Sequence, residues 1–476
     1  MNPALHSRYN PIGEAEKYLH ALSLSPDIRF FILIEPGLGY MIPILHRRFP
    51  EAQIIALHVQ ALSPQQETAP AVPVVTWSPE SGIPLQGFLE QAIPDTLART
   101  IRIIEWRPAL AVYGKAYLRI LAETVDFIKR IDANLRTIHT FGQRWFKNYF
   151  KNLRIIHTVL VQGAASPTVP VIITGAGPSL ETAVPLIKTL RQKSPHLILA
   201  VSSSVPALRA RGILPDLIIT TDGGSWACLH LYECLRGMDT QQPLGLGVSL
   251  SAALPSQCAS LPLLLISDGS LWQRVILQGL GIPFISLTQR GTVSASALDL
   301  AWRISRGNLY LTGMDLAHQD IQTHARPYSF ERLLEAGASR LNPVYSQTFT
   351  RSRAILEGGS HAIYAGWFRR YLRDYPERLF TLGTNNPVFK DRKPGTPSDT
   401  PGTAPILQAR ELPRQDNPVK AGVALLLHAL ADPHTGPRIR RELGSLLVPD
   451  EPDPGVETLR EPILTLTERY CRSGHG

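Results

Sequence analysis

The sequence predicts an α/β protein with two domains of mainly parallel sheet, helical segments between them and a small C-terminal helical appendage. Three observations predict it. Short apolar runs bounded by turn residues recur along the chain and read as buried strands. Amphipathic helical stretches separate these runs, the alternation that produces parallel sheets. Two of the strands exit into glycine turns that open helices, Pro36-Gly37-Leu38-Gly39-Tyr40 and Gly175-Ala176-Gly177-Pro178-Ser179-Leu180. Strand, glycine turn and helix in succession make both domains Rossmann-like.

The elements follow in order. Arg29–Glu35 is a buried strand, and an apolar helix runs from its glycine turn through Leu45. Gln53–Val59 is the next strand. The segment from Arg99 to Arg154 reads as basic amphipathic helices. Its apolar stripe is Ile131, Leu135 and Ile138, continued by Trp145, Tyr149, Leu153 and Ile156. The second series opens with the strand Val169–Thr174, and a helix follows from the Gly175 turn towards Lys193, with Pro185 as a kink point. Further strands are His196–Ser202, Leu217–Thr221, Leu244–Ser249, Leu263–Ile266, Pro283–Ser286 and Asn308–Thr312, with helices that include Val205–Arg211 and Ser294–Arg303. From Asp391 to Pro418 the chain turns Pro/Thr-rich and loses periodicity. Ala421–Leu430, Arg438–Leu447 and Val456–Arg472 then read as three short helices. The expected division is an N-terminal Rossmann-like domain (1–112), a basic helical connector (113–165), a central domain (166–385), a Pro-rich linker (386–417) and a C-terminal helical region (418–476).

Composition excludes several classes. With 476 residues and 44% hydrophobic content, the chain can bury full cores and is no disordered tail. Cys228, Cys234, Cys258 and Cys471 form no CxxC pair, so neither structural zinc nor a redox motif is expected, and a reducing cytoplasm fits. The first residues lack the apolar core of a signal peptide, and no apolar stretch reaches the ~20 residues of a membrane helix. A cytoplasmic protein with no membrane partner is therefore expected. The formal net charge is +9, and the segment Arg99–Arg154 alone carries an excess of +8. Such a cluster can attract nucleic acid or be a solvated helix face. The charges alternate with an apolar helical stripe, which favours the solvated face and makes nucleic acid an unlikely partner.

Chemistry concentrates in the second series. In Gly175-Ala176-Gly177-Pro178-Ser179 the first glycine permits a sharp exit from the strand, and the second lets a phosphate approach the backbone. Pro178 suits the first helical position, the helix N–H groups favour an anion, and Ser179 adds a hydroxyl. Leu180 and the Ser202-Ser203-Ser204 run depart from the dinucleotide fingerprint, and no phosphate-binding GxxxxGK[ST] loop exists. Ser202 and Ser203 can bind a ribose, base or phosphate, or simply cap the next helix. Asp222 can meet a sugar hydroxyl. Without a second acid nearby it makes a poor divalent-metal site, so no metal or cofactor is expected. Gly291 and Thr292 open another helix whose N–H groups can meet a second anionic group. Gly313, Met314 and Asp315 follow the last strand, and His324 is the preferred general base, with His318 and His361 as competitors. Gly37 and Gly39 either cradle an anion or permit close packing.

These motifs carry a family resemblance. GAGPSL after a buried strand resembles the motif of the Maf (motility-associated factor) flagellin glycosyltransferases and their MptE-like relatives. Pro36-Gly-Leu-Gly-Tyr40, Trp145-Phe-Lys-Asn-Tyr-Phe-Lys-Asn-Leu153, Ile213-Leu-Pro-Asp216 with Thr221-Asp222, and Gly313-Met-Asp-Leu-Ala317 with Thr323-His-Ala325 resemble further segments, in the family's order. The central part is also similar to bacterial CMP-sialic acid sialyltransferases with a GNGPSL loop and a G-I-D-F-Y segment. The resemblance implies a transferase whose CMP-activated nonulosonic acid donor, of the pseudaminic or legionaminic type, meets the glycine loop. The implied acceptor is a Ser or Thr of flagellin. Ala176 replaces the asparagine of GNG and Ala317 the tyrosine of GIDFY, so the contacts those side chains make do not carry over. The MptE-like relatives imply an alternative, ATP-dependent diphosphate transfer to a hydroxymethylpterin. A non-enzymatic flagellin- or nucleotide-binding protein is the third expectation.

Overall fold

The computed structural model describes residues 5–61, 72–93, 95–163, 168–193, 195–236, 245–287, 291–316, 322–357, 364–369, 371, 377–382, 389, 407–449, 451 and 454–472. The chain forms two compact units, Met1–Thr140 and Phe141–Gly476.

The first unit begins with α1 (Pro11–Ala21), whose N-terminus is capped by the Asn10 side chain accepting from the Gly13 N–H. Then come β1 (Phe30–Ile34), α2 (Met41–Arg48), β2 (Gln53–Leu57), β3 (Val74–Trp77), α3 (Leu85–Ala92), β4 (Ile101–Glu105), α4 (Arg107–Tyr113) and the start of α5 (Lys115–Leu153), whose residues from Phe141 onward belong to the second unit. The strands pair in the order β3-β2-β1-β4, all parallel. All five residues of β1 are buried, as expected of a central parallel strand covered on both faces. The direction of strand succession reverses between β1 and β4, which makes the crevice at their carboxyl ends the topological switch point.

The basic segment departs from the expected run of helices. Arg99 lies in a short 3-10 turn, Arg102 on β4, and Arg107 opens α4. The reason is local: Ile101-Arg102-Ile103 alternates with the period of a strand, and Ile101 and Ile103 pair with Phe30 and Ile32 of β1. From Lys115 onward the expected helix holds, with Ile131, Leu135, Tyr149 and Leu153 buried.

The second unit contains β5 (Thr158–Gln162), β6 (Val171–Thr174), α6 (Ser179–Lys193), β7 (Leu197–Val201), α7 (Val205–Arg209), β8 (Leu217–Thr220) and α8 (Ala227–Leu235). It continues with β9 (Gly245–Ser249), β10 (Leu263–Ser267), α9 (Leu271–Gly279), β11 (Ile285–Ser286), α10 (Val293–Ile304) and β12 (Leu309–Thr312). Last come α11 (Glu331–Ala336), α12 (Val344–Glu357), β13 (Leu379–Thr381), β14 (Leu407–Glu411), α13 (Pro418–Ala431), α14 (Gly436–Leu447) and α15 (Val456–Cys471).

The strands form a ten-stranded sheet, β13-β12-β6-β7-β8-β9-β10-β5-β14, with β11 added beside β10. Every pairing is parallel except β14 on β5. Successive side chains enter opposite cores. Ile172, Ile198 and Leu246 pack with α6, α9 and the C-terminal helices, whereas Val171, Ile173 and Leu199 pack with α10. Strand succession reverses between β6 and β12, the switch point of this unit.

Two expected boundaries are corrected. The connector assigned to 113–165 includes β5, whose Val159 pairs with Leu263 and is fully buried. The linker assigned to 386–417 includes β14, which pairs with β5 over its whole length and closes that sheet edge; residues 390–406 lie outside the described residues. The C-terminal helices share the main core: Val423, Leu426, Leu443 and Ile463 cluster with Trp272 and Ile276 of α9. Gly422 lets α13 come so close that a Cβ there would lie 3.1 Å from Ile276.

Candidate functional site

The carboxyl edge of the larger sheet is lined with hydroxyls. Thr174, Thr220, Ser249, Ser267, Thr312 and Thr381 are the last residues of β6, β8, β9, β10, β12 and β13, and all are buried. Ser202 directly follows β7 and is buried too. Each strand is apolar until its exit, where a short polar side chain terminates it. The Thr220 and Thr312 hydroxyls have no hydrogen-bond partner among the described residues. Such groups are costly to bury unpaired and mark an edge suited to polar ligands.

At the switch point the glycine loop meets the exit of β12. Gly175 N–H donates to Thr312 O (2.8 Å) and Gly177 N–H to Gly313 O (2.7 Å). Ser179 N–H donates to Asp315 Oδ2 (2.8 Å), and Gly313 N–H to Ser179 Oγ (3.1 Å). Three glycines permit this approach. A Cβ on Gly175 would lie 2.2 Å from Gly313 O, one on Gly177 2.2 Å from Asp315 Oδ2, and one on Gly313 2.2 Å from Gly175 O. Gly313 also has φ +65, a conformation glycine adopts without penalty. Leu316, at φ 49, carries strain in the same turn.

The expected phosphate cradle is therefore corrected. The N–H groups of Gly175, Gly177 and Ser179 are engaged within the chain, and Asp315 places its carboxylate at the N-terminus of α6, where an anion was expected. Gly175, Ala176 and Pro178 are buried. Asp315, expected as a catalytic residue, thus has its carboxyl group engaged at the N-terminus of α6. Burial pushes its carboxyl above the usual range, and the hydrogen bonds from Ser179 act in the opposite sense. Met314, expected on the donor, is 3% exposed and belongs to the core facing α10.

The same loop anchors His324. Ala325 N–H donates to Ala176 O (2.7 Å). Glu181, two residues past Ser179, accepts from Gln322 Nε2 (2.7 Å) and Arg326 N–H (2.7 Å), and Arg211 pairs with it at 3.1 Å. His324 Nδ1 lies 2.8 Å from Thr323 Oγ1, and the ring stacks on Tyr328 with centroids 4.1 Å apart. Tyr328, His230, Phe330 and Trp226 continue as an aromatic cluster. His324, Thr323, Arg326 and Tyr328 line a cavity of about 220 Å³. A larger one, about 390 Å³, lies beyond Tyr328 among Arg209, Glu233, Arg236 and Arg332. Neither is lined by the glycine loop or Asp222.

Asp222 Oδ1 accepts from Gly224 N–H (2.7 Å), shaping the exit of β8. Tyr364 lies near Asp222, which together with burial raises its phenol pKa, burial being the larger cause. The same ring approaches Gly291, where a Cβ would lie 3.3 Å from Cε1. Gly291 has φ +73, and Thr292 precedes α10 without a side-chain cap on its N–H groups. Ser203 is half-exposed in the turn after β7, while Ser204 ties β6 to β7 by a hydroxyl pair with Thr174 (2.9 Å). His318 and His361 lie outside the described residues.

Sequence reasoning missed several residues. Asn148 and Asn152, in the tryptophan/asparagine helix segment, donate to Gly223, Leu250, Ser251 and Ala252 carbonyls and so hold the exits of β8 and β9. Asp268 follows β10, accepts from Ser270 N–H (2.9 Å) and Gln273 Nε2 (2.9 Å), and is pushed above the usual carboxylate range by burial. Its Asp-Gly exit repeats that of Asp222-Gly223 and was a readable signal. Glu181 was readable only as the residue after the glycine motif.

Comparisons with known proteins fall on this region. Residues 143–320 match the family model described as 6-hydroxymethylpterin diphosphokinase MptE-like. The match spans β5 to β12, the glycine loop, Asp222 and Asp315, and stops short of His324. An uncharacterised protein of Treponema pallidum (strain Nichols) is 27% identical over 338 residues, which cover 70% of this chain and 72% of that protein. A second from the same organism is 30% identical over 118 residues, covering 24% of this chain and 55% of that one. Among solved structures, the Maf glycosyltransferase from Magnetospirillum magneticum AMB-1 is similar with a TM-score of 0.49 and 15% identity, over 97% of this chain and 83% of that chain. Among the described residues, no helix is long and apolar enough to cross a membrane.

Proposed function

We propose that this protein is a glycosyltransferase that moves a nonulosonic acid, of the pseudaminic or legionaminic type, from a CMP-activated donor to a Ser or Thr hydroxyl of flagellin. The observation that carries the proposal is the convergence of the Maf-like sequence segments. GAGPSL, GMDLA and THA lie far apart in sequence, yet Gly313 and Asp315 pack on Gly177 and Ser179, and Ala325 bonds to Ala176.

In this reaction the acceptor hydroxyl gives its proton to His324 as its oxygen attacks the anomeric carbon. The bond from that carbon to the phosphate oxygen breaks, and CMP leaves with the bonding electrons. Thr323 Oγ1 lies against the Nδ1 side of the ring and fixes its orientation. Because Asp315 fills the α6 terminus, the phosphate is assigned to the uncapped turn at Gly291 and Thr292, with Asp222 and Ser203 towards the sugar or ribose hydroxyls. Tyr328 and Trp226 offer stacking surfaces for the acceptor.

Release of CMP from the donor in the presence of flagellin tests the proposal. His324→Ala is expected to lower the rate by about 10²–10⁴-fold. Unchanged release would remove His324 from the reaction. The MptE-like match favours a second reading, ATP-dependent diphosphate transfer to a pterin alcohol. Chelation of divalent cations separates the two, since phosphoryl transfer from ATP relies on a metal ion and the glycosyl transfer proposed here does not.

A further inference from the structure

The cavity beside His324 has a larger neighbour that the transfer step itself does not use. The two share Tyr328, Glu331 and Glu335 as a common wall. The larger, about 390 Å³, takes its other charged groups from three segments. Arg209 ends α7, Glu233 and Arg236 lie at the C-terminal end of α8, and Arg332 lies on α11.

These arginines are positioned, yet two of them lack a close acceptor. Arg209 Nη1 donates to the Cys234 and Arg236 carbonyls (both 2.9 Å), which ties its guanidinium to the end of α8. Arg236 and Arg332 face the same oxygen, Glu233 Oε1, at 3.8 and 3.9 Å. Those distances allow charge attraction but exceed a hydrogen bond. Ser329, in the same lining, has its hydroxyl buried without a hydrogen-bond partner among the described residues. The lining therefore offers donors and lacks acceptors for them. Charge narrows what fits. The two cavities together are lined by Arg209, Arg236, Arg326 and Arg332 against Glu233, Glu331 and Glu335, an excess of one positive charge. Glu331 is engaged by Arg326 at 3.0 Å. One carboxylate balances that excess and suits the paired donors of a guanidinium; a phosphate dianion would overshoot it.

We propose that the larger cavity is an acceptor subsite that seats an acidic side chain, Asp or Glu, a few residues from the Ser or Thr whose hydroxyl meets His324. The proposal rests on the transfer reading above. Tyr328 stacks on His324 (4.1 Å) and forms the shared wall, so an extended segment laid across it, rising about 3.3 Å per residue, reaches both cavities.

The test moves a single Asp through the positions on either side of one Ser in a neutral, labelled peptide, with Asn at the same position as control. Binding to the full chain is read by fluorescence anisotropy, and CMP release from a CMP-nonulosonate donor is followed in parallel. At the matching position the Asp peptide is expected to bind about five- to ten-fold more tightly than the Asn peptide, an advantage that narrows at high salt. Arg332→Glu is expected to reverse the preference, so that Lys at that position binds more tightly than Asp. Such a gain does not arise from a misfolded chain. Equal affinity for Asp and Asn at every position, or an Asp preference untouched by Arg332→Glu, would overturn the proposal. Displacement of the Asp peptide by CMP would also overturn it, by giving the arginines to the donor. CMP release without any Asp preference defeats the subsite alone. Asp-selective binding without CMP release defeats the transfer reading and leaves an acidic-peptide site standing.

Discussion

The two glycine turns begin alike and end differently. Each follows a buried parallel strand at the point where strand order reverses, and each crevice is closed by the chain itself. In the second unit the closure is made of backbone: Gly175 and Gly177 bond to Thr312 and Gly313, and Asp315 seals the helix end. In the first unit it is one side chain, His6, bonded to Leu38 and stacked on Trp106. A closure built from reciprocal backbone bonds at 2.2 Å Cβ clearances has no small motion that opens it. A closure made by one imidazole opens by a rotation. The glycine motif thus marks where two chain segments meet closely; what meets there is decided by distant residues.

That contrast can be broken by substitution. The largest effect is expected for Gly313→Ala, which places a Cβ against the Gly175 carbonyl at φ +65. Backbone must move, and a loss of about 3 kcal/mol or more is expected by urea unfolding. Gly37→Ala also imposes a positive φ, +62, but the obstructing atom is the His6 side chain. Its expected cost is smaller, about 1–2 kcal/mol. Equal costs would mean that the two closures do not differ as described.

The smallest effects are in pH dependence, and their signs are opposite. Burial holds Asp315 above its ordinary value of 3.8, so the folded chain retains a proton that the unfolded chain has lost. Its contribution to stability is present below about pH 3.8 and falls as pH rises through the folded-state value. Burial lowers His6 from 6.5, so there the unfolded chain holds the extra proton. That contribution rises with pH through the window below about 6.5 and is lost on acidification. Thermal midpoints measured across both windows should lose the acid-side decline with rising pH in Asp315→Asn and the rise towards neutrality in His6→Ala. The same slope in wild type and variant would remove that group from its closure.

Much of the fold was legible in the sequence because parallel strands buried on both faces are written as continuous apolar runs. Phe30–Ile34, Val171–Thr174 and Leu263–Ser267 are of that kind. Edge strands are not. Leu407–Glu411 is mostly exposed, and Ile101–Glu105 alternates with arginine, so β14 was read as linker and β4 as helix. Within the site, the sequence pointed to Gly175, Ser202, Asp222 and Asp315 at the carboxyl ends of strands. It did not reveal that Asp315 answers the α6 terminus, since that bond joins residues 136 positions apart. The Ser and Thr residues that end β6, β8, β9, β10, β12 and β13 were visible throughout, but their shared edge emerges only once strand order is known.

The proposed activity is transfer of a nonulosonic acid to flagellin at the carboxyl edge of the larger sheet. Intact mass of flagellin co-expressed with this protein and a CMP-nonulosonate supply measures it directly. A nonulosonate-sized increment is predicted with the wild type, absent when the donor is withheld and strongly reduced with His324→Ala. Flagellin of unchanged mass, together with metal-dependent diphosphate transfer from ATP to a hydroxymethylpterin, would contradict the proposed activity.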